Sequence, residues 1–281
     1  MTLPAEPGFF GVSHRARFRI GGNDAARYLN GQLSIDIPRL PPAQARPACL
    51  LTAKGKLCAL VQAWREGPGF IVECDSHLAE SVEARLGRYI IADDVTVAPA
   101  ETPAIFHLLN PPAPPAGALA ITRIGLPGFD TNEPPEGLRE IPAADVELLR
   151  ILQGFPAWGA ELGEDTLPQE ARLESLAVDF DKGCYVGQET VSRLKSVGRV
   201  NQRLHGFLGE LAEGAPVFLH PPGDPATRAG RITSHSRHFG MAQTAALGYL
   251  HRQFETLPRL AAADESGRTL GEFERREFPI R

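Results

Sequence analysis

Short apolar runs parted by glycine, proline, asparagine and aspartate set the pattern of this chain. From about Phe10 to Val97, strand-like runs such as Ala48-Cys49-Leu50-Leu51 and Phe70-Ile71-Val72-Glu73-Cys74 alternate with stretches of helical spacing, which suits an α+β layer. Gly22-Asn23-Asp24 marks a helix start, with Asn23 or Asp24 as cap and Ala25, Ala26, Tyr28 and Leu29 as the body. Leu78, Val82, Leu86 and Tyr89 or Ile90 recur at helical spacing and predict a second helix over residues 76 to about 89. The proline-rich stretches 110–117 and 131–137 continue neither sheet nor helix and read as stiff surface loops. Val146, Leu149 and Leu152 predict a third helix, ended by Gly154 and Pro156. Past about Asn201 the character changes. Leu204-His205-Gly206-Phe207-Leu208, Ala229-Gly230-Arg231-Ile232-Thr233, Ala245-Ala246-Leu247-Gly248-Tyr249-Leu250 and Leu270-Gly271-Glu272-Phe273 are short strands between turns, the signature of a small β-barrel. The expected division is therefore an α+β unit over residues 1–200 and a barrel over 203–281.

Composition changes this picture little but excludes some functions. With 281 residues and 43% hydrophobic content the chain can bury a substantial core, and its length favours two domains. Lys plus Arg total 29 against 34 Asp plus Glu, a net charge of −5, which argues against direct nucleic-acid binding. The four cysteines show no C-x-x-C spacing and are expected to stay reduced. Cys49, Cys58 and Cys74 lie in apolar runs and are expected to be buried structural residues. No run reaches the roughly 18 apolar residues of a membrane span, and the N-terminus lacks a signal-peptide pattern, so a cytoplasmic location is expected.

The chemistry concentrates in Asp181-Lys182-Gly183-Cys184-Tyr185-Val186-Gly187-Gln188-Glu189. Its two glycines permit tight turns and close approach of backbone to a ligand. Gln188 onward reads as the first turns of a helix, which places Cys184 just before a helix start. There the helix dipole and the Lys182 ammonium both favour thiolate, so Cys184 and Lys182 are the candidate catalytic pair. Tyr185 offers a ring to stack and a hydroxyl, and Gln188 both a donor and an acceptor. Glu189 is placed to cap or orient the loop. Arg193, Lys195, Arg199 and Arg203 form a basic stripe, read either as an exposed helix face or as an attractor of an anionic ligand. Phosphate-loop, dinucleotide and zincin motifs are absent. Lys54-Gly55-Lys56 reads as a charged turn, and His235 with His238 lacks a third metal ligand nearby.

Read whole, the cysteine segment resembles the signature of the YgfZ family of folate-binding, iron–sulfur-associated proteins. Weaker matches follow in the same order at residues 22–32, at Leu51-Thr52-Ala53-Lys54-Gly55-Lys56 and at Pro168-Gln169-Glu170. Gly230-Arg231-Ile232-Thr233-Ser234 is similar to the Thr-Ser strand in the C-terminal barrel of the glycine-cleavage T-protein, the parent of this superfamily. The resemblance implies a cloverleaf-like, GcvT-like folate-binding fold, with two intertwined α+β subdomains in residues 1–200. It implies tetrahydrofolate or another reduced folate as cofactor, with Tyr185, Gln188, Glu189 and Arg193 as candidate contacts. It also implies iron–sulfur client or assembly proteins as partners, and an indirect effect on tRNA modification through an iron–sulfur enzyme. The acidic pair of the T-protein falls at Cys58 and Ala59 here, so the carboxylate needed to relay a proton at the folate nitrogen is missing. That favours an assembly factor, with a folate-dependent aminomethyl or one-carbon transferase as the alternative.

Overall fold

The structure, a computed structural model, describes residues 6–196, 198–212, 217–237 and 243–280. Strands β1 (Gly8–Val12) and β2 (Arg15–Gly21) lead into α1 (Ala25–Gln32), followed by β3 (Arg46–Leu51), β4 (Leu57–Glu66) and β5 (Gly69–Asp75). Next come α2 (Ala79–Gly87), β6 (Thr96–Ala100), β7 (Ile105–Leu109), β8 (Leu119–Arg123), β9 (Leu126–Thr131) and β10 (Arg139–Glu140). After α3 (Ala143–Gln153) and α4 (Gln188–Ser196) the chain is β throughout: β11 (Gln202–Leu211), β12 (Phe218–His220), β13 (Gly230–Ser236), β14 (Thr244–His251), β15 (Arg259–Ala263) and β16 (Thr269–Arg276).

Contacts divide the chain into two units, one of which spans Glu6–Glu140 and Gly163–Gly198. It holds two five-stranded sheets, ordered β10-β1-β7-β9-β8 and β3-β4-β5-β2-β6. Consecutive strands β1 and β2 enter different sheets, so the chain interleaves the two. All pairings are antiparallel except β1 with β10. Every residue of β5 except Asp75 is buried, the mark of a strand covered on both faces.

One of those residues is Glu73, and a buried carboxylate must be paired. Arg15 and Arg17 on the neighbouring β2 reach it at 3.2 and 3.0 Å, and Arg123 of the other sheet reaches it at 2.9 Å. Arg123 also binds Asp130, which accepts from His107 at 2.8 Å. The two sheets are thus joined through a buried chain of charges. Burial disfavours ionisation of Glu73 and Asp130, yet Arg123 with Arg15 and Arg17, and for Asp130 the His107 hydrogen bond with Arg123, hold both carboxyls below their ordinary range.

The other unit comprises Ile141–Leu162 and the chain from Arg199 onward. Its strands close a barrel in the order β11-β14-β13-β12-β15-β16, around Phe207, Leu219, Leu250, Leu260 and Phe273. Leu148, Ile151 and Leu152 of α3 pack on Leu204, Leu247 and Tyr249, and Gly154 ends α3 with a left-handed φ of 69°. The sequence places residues 141–162 with the N-terminal 1–200; by contact they group with the barrel, and the reason is polar as well as apolar. Glu161 is fully buried and accepts from Arg150 at 2.9 Å and from Thr233 and Ser234 at 2.7 and 2.6 Å. The Thr-Ser pair on β13 therefore serves to bind this carboxylate.

Two local expectations change in detail. The helix expected from residue 76 begins as one 3-10 turn, Ser76–Leu78, and α2 ends at Gly87. Asp24 sits at the start of α1 but makes no side-chain cap. Its carboxylate instead accepts the Asp94 N–H at 3.0 Å, while Asn23 donates to the Asp94 carboxylate.

Candidate functional site

The cysteine segment is anchored to α1 by the rules that govern helix ends. The last carbonyls of a helix have no partner within it. At Leu33 the backbone turns extended and Ser34 donates to Cys49 rather than back to Asn30, leaving the Asn30 and Gly31 carbonyls open. The cysteine segment fills both: Lys182 Nζ donates to Asn30 O at 2.5 Å and to Leu33 O at 2.7 Å, and Val186 N–H donates to Gly31 O at 3.0 Å. Cys184 lies midway between these anchors and is exposed. α4 starts at Gln188, with Glu189 in its first turn and Arg193 and Lys195 in its last, in keeping with the helix dipole.

Lys182 is largely withdrawn from water, and desolvation brings its pKa down to about 8 against the opposing pull of Asp36, Asp179 and Cys184. Its ammonium lies 4.8 Å from the centre of the Tyr185 ring. Tyr185 is buried, and its hydroxyl has no hydrogen-bond partner among the described residues. Burial raises its pKa. Asp179, two residues before the segment, takes a two-pronged ion pair from Arg46 at 2.8 Å in each arm. It also accepts the Asp36 N–H at 2.7 Å. The Arg46 bonds, with the Asp36 amide behind them, hold the Asp179 carboxyl below its ordinary range.

The weaker matched segments converge on the same place. Residues 52–56 form the turn between β3 and β4, closed by Thr52 N–H donating to Lys56 O at 2.8 Å. Gly55 and Gly187 both have positive φ, 78° and 88°, and a Cβ on Gly187 would stand 3.2 Å from the Gly55 Cα. Gln169 Nε2 donates to the Val191 carbonyl of α4 at 2.9 Å, while its Oε1 is buried without a partner among the described residues. Lys54 is exposed and Lys56 pairs with Asp165 at 2.5 Å, as a charged turn would.

Of the residues expected to bind a ligand, Gln188 is half-buried, and Glu189 and Arg193 are exposed. The basic stripe does not run along one helix. α4 ends at Ser196, so only Arg193 and Lys195 share it, and Arg203 lies on β11. Lys195 stacks its ammonium 3.8 Å from the Phe180 ring. His235 is exposed on β13; His238 lies outside the described residues. Cys49 and Cys74 are buried, and burial pushes both thiols up to about 12. Cys58 is half-buried rather than buried, because over its first residues β4 alternates between a buried and a half-buried face and Cys58, its second residue, lies on the latter; Ala59 beside it is fully buried. Arg85 donates to the Leu51 carbonyl at 3.1 and 2.8 Å and to Gln32 Oε1 at 2.8 Å. The roles of Arg46, Asp179 and Arg85 were not read from the sequence, since their partners are remote along the chain.

No family model matches the chain. It is 30% identical over 230 residues to the human protein named iron-sulfur cluster assembly factor IBA57, mitochondrial, covering 69% of this chain and 64% of that protein. It is 29% identical over 251 residues to the Escherichia coli O157:H7 protein named tRNA-modifying protein YgfZ, 76% of each chain. The structure of the glycine cleavage system aminomethyltransferase T from Bartonella henselae superposes with a TM-score of 0.81 over 98% of this chain and 87% of that one, at 17% identity, which shows a common fold.

Proposed function

The chain is a YgfZ-type member of the GcvT-like superfamily, and from that premise we propose that it binds a reduced folate and supports the assembly or repair of iron–sulfur clusters. Tetrahydrofolate is the form proposed, iron–sulfur client or assembly proteins are the partners, and any effect on tRNA modification runs through an iron–sulfur enzyme. The observation that carries this reading is the convergence of residues 30–33, 52–56 and 169 on the cysteine segment and the helix α4 that follows it, the segment that carries the exposed Cys184.

The residues present suit a folate. The Tyr185 hydroxyl and Gln169 Oε1 are buried without hydrogen-bond partners among the described residues, and a pterin edge carries the donors and acceptors that such orphaned groups need. Tyr185 and Gln188 are the proposed pterin contacts, Arg193 the proposed partner of the glutamate carboxylates, and Glu189 orients the segment. When bound, the folate would supply a one-carbon carrier and an oxidisable, already reduced ring. The protein holds it and presents Cys184, a soft nucleophile suited to iron or sulfur chemistry. Cys58 and Ala59 bring no carboxylate to the start of β4, which weighs against the transferase reading. A cytoplasmic location belongs to the same proposal and rests on the sequence; no helix among the described residues is long and apolar enough to cross a membrane.

The test is a thermal melt and titration calorimetry with tetrahydrofolate. Ligand at about a hundred times Kd should stabilise the fold by about 2.7 kcal/mol. An unmoved melt with no heat of binding would remove the folate from the account.

A further inference from the structure

We infer that Lys182 is a positioning residue: it clamps the cysteine segment onto the C-terminal end of α1 and so holds Cys184 in place, rather than activating the thiol by its charge. This rests on the functional reading above and names how its site is built. The geometry carries it. The two anchors flank Cys184 symmetrically, Lys182 two residues before it and Val186 two residues after it. They bind adjacent turn-end carbonyls of one helix, Asn30 and Gly31, with Leu33 as a second acceptor for Lys182.

A lysine ammonium has three donors. Two are spent on these carbonyls at 2.5 and 2.7 Å, and the Tyr185 ring lies beneath at 4.8 Å. A cation at a helix C-terminus also meets the negative end of the dipole. The ammonium is therefore committed to backbone oxygens, and the exposed Cys184 gains a fixed position from it. Between the anchors only Gly183, Cys184 and Tyr185 remain, and Tyr185 is itself buried, which leaves the thiol on a short, doubly held arch.

The two jobs separate experimentally, because a clamp and an electrostatic activator move different observables. Wild type, Lys182→Met and Lys182→Arg are compared by amide exchange at Val186, by the pH profile of Cys184 alkylation with iodoacetamide, and by the activity of an iron–sulfur enzyme in a null strain. Hydrogen bonds from a charged donor are strong enough that losing them should cut Val186 protection by about tenfold or more in Lys182→Met. Lys182→Arg, which can also donate to two carbonyls, should restore that protection together with the enzyme activity. Lys182→Arg, which keeps the charge, should also keep the wild-type alkylation midpoint, and any upward midpoint in Lys182→Met, where the charge that faces Cys184 is gone, should come only together with lost protection. Unchanged Val186 protection in Lys182→Met overturns the inference, and so does a midpoint that moves upward while protection stays. If Lys182→Met unfolds the unit, seen as lost protection at Val72 in the buried β5, Lys182→Gln takes its place with the same expectations. A wild-type protein that fails to support the iron–sulfur enzyme defeats the functional reading alone, since Val186 exchange still decides the clamp.

Discussion

Gly187 and Gly55 meet backbone to backbone. A Cβ on Gly187 would stand 2.6 Å from the Thr52 carbonyl oxygen and 3.2 Å from the Gly55 Cα, and a Cβ on Gly55 would stand 2.7 Å from that of Thr190. Both residues also have positive φ, so neither position tolerates a side chain on conformational or steric grounds. Gly183 differs, since the nearest atom to an added Cβ is the Asn30 amide nitrogen at 3.8 Å. Gly187→Ala should therefore cost about 2 kcal/mol or more, within the usual range for strained backbone. Gly183→Ala should change stability by less than about 1 kcal/mol. Chemical denaturation of the two variants checks the contrast, and equal effects would show that the turn and the cysteine segment do not touch as described.

How far the site was legible follows from sequence distance. The cysteine segment is contiguous, so its glycines, thiol and helix start could be read directly, and α4 begins at Gln188 as its composition suggests. The partners of Lys182 could not be read, because they are backbone carbonyls about 150 residues away whose availability depends on where α1 stops. Asp24 likewise looks like a cap but exchanges bonds with Asp94. In the barrel, three of the strands recognised from pattern lie within β11, β14 and β16, and the fourth overlaps β13, beginning one residue before it. The two that escaped are β12, only three residues long, and the alanine-rich β15, whose low β-propensity hides it.

The Arg46–Asp179 pair should contribute measurably. Its side chains are 30% and 27% exposed, which discounts the charge, but the two-pronged geometry and the Asp36 amide favour it. A double-mutant cycle with Arg46→Met and Asp179→Asn should give a coupling of about 1 kcal/mol, and a value near zero would reduce the pair to decoration.

Acid should unfold the sheet-bearing unit in two phases. Desolvation, outweighing the Asp130 hydrogen bond, holds the His107 pKa below its ordinary 6.5. The unfolded chain thus takes up this proton first, and the stability due to neutral His107 is full above about pH 6.5 and declines below it. Glu73 and Asp130 are also depressed, from 4.5 and 3.8, so their contribution is lost only as pH falls further. Denaturation midpoints across pH 3 to 8, an experimental range of about five units, should show both phases in wild type and only the lower one in His107→Gln.

The four thiols should react in an order set by exposure. Cys184 is exposed, Cys58 half-buried, and Cys49 and Cys74 buried with thiols pushed up to about 12. Near neutral pH a disulfide reagent should label Cys184 first and Cys58 more slowly, with Cys49 and Cys74 reacting only on unfolding. Mass spectrometry of the labelled peptides reads the order, and early labelling of Cys49 or Cys74 would refute the burial described.

The central claim, that this chain binds a reduced folate and that its exposed thiol serves iron–sulfur proteins, is tested most directly by Cys184→Ala in a null strain. The side chain is exposed, so the variant should keep wild-type stability and tetrahydrofolate binding, established beforehand on the purified protein. Iron–sulfur enzyme activity in cells carrying it should fall to the level of the null strain. Activity equal to that of cells carrying the wild-type protein would contradict the account.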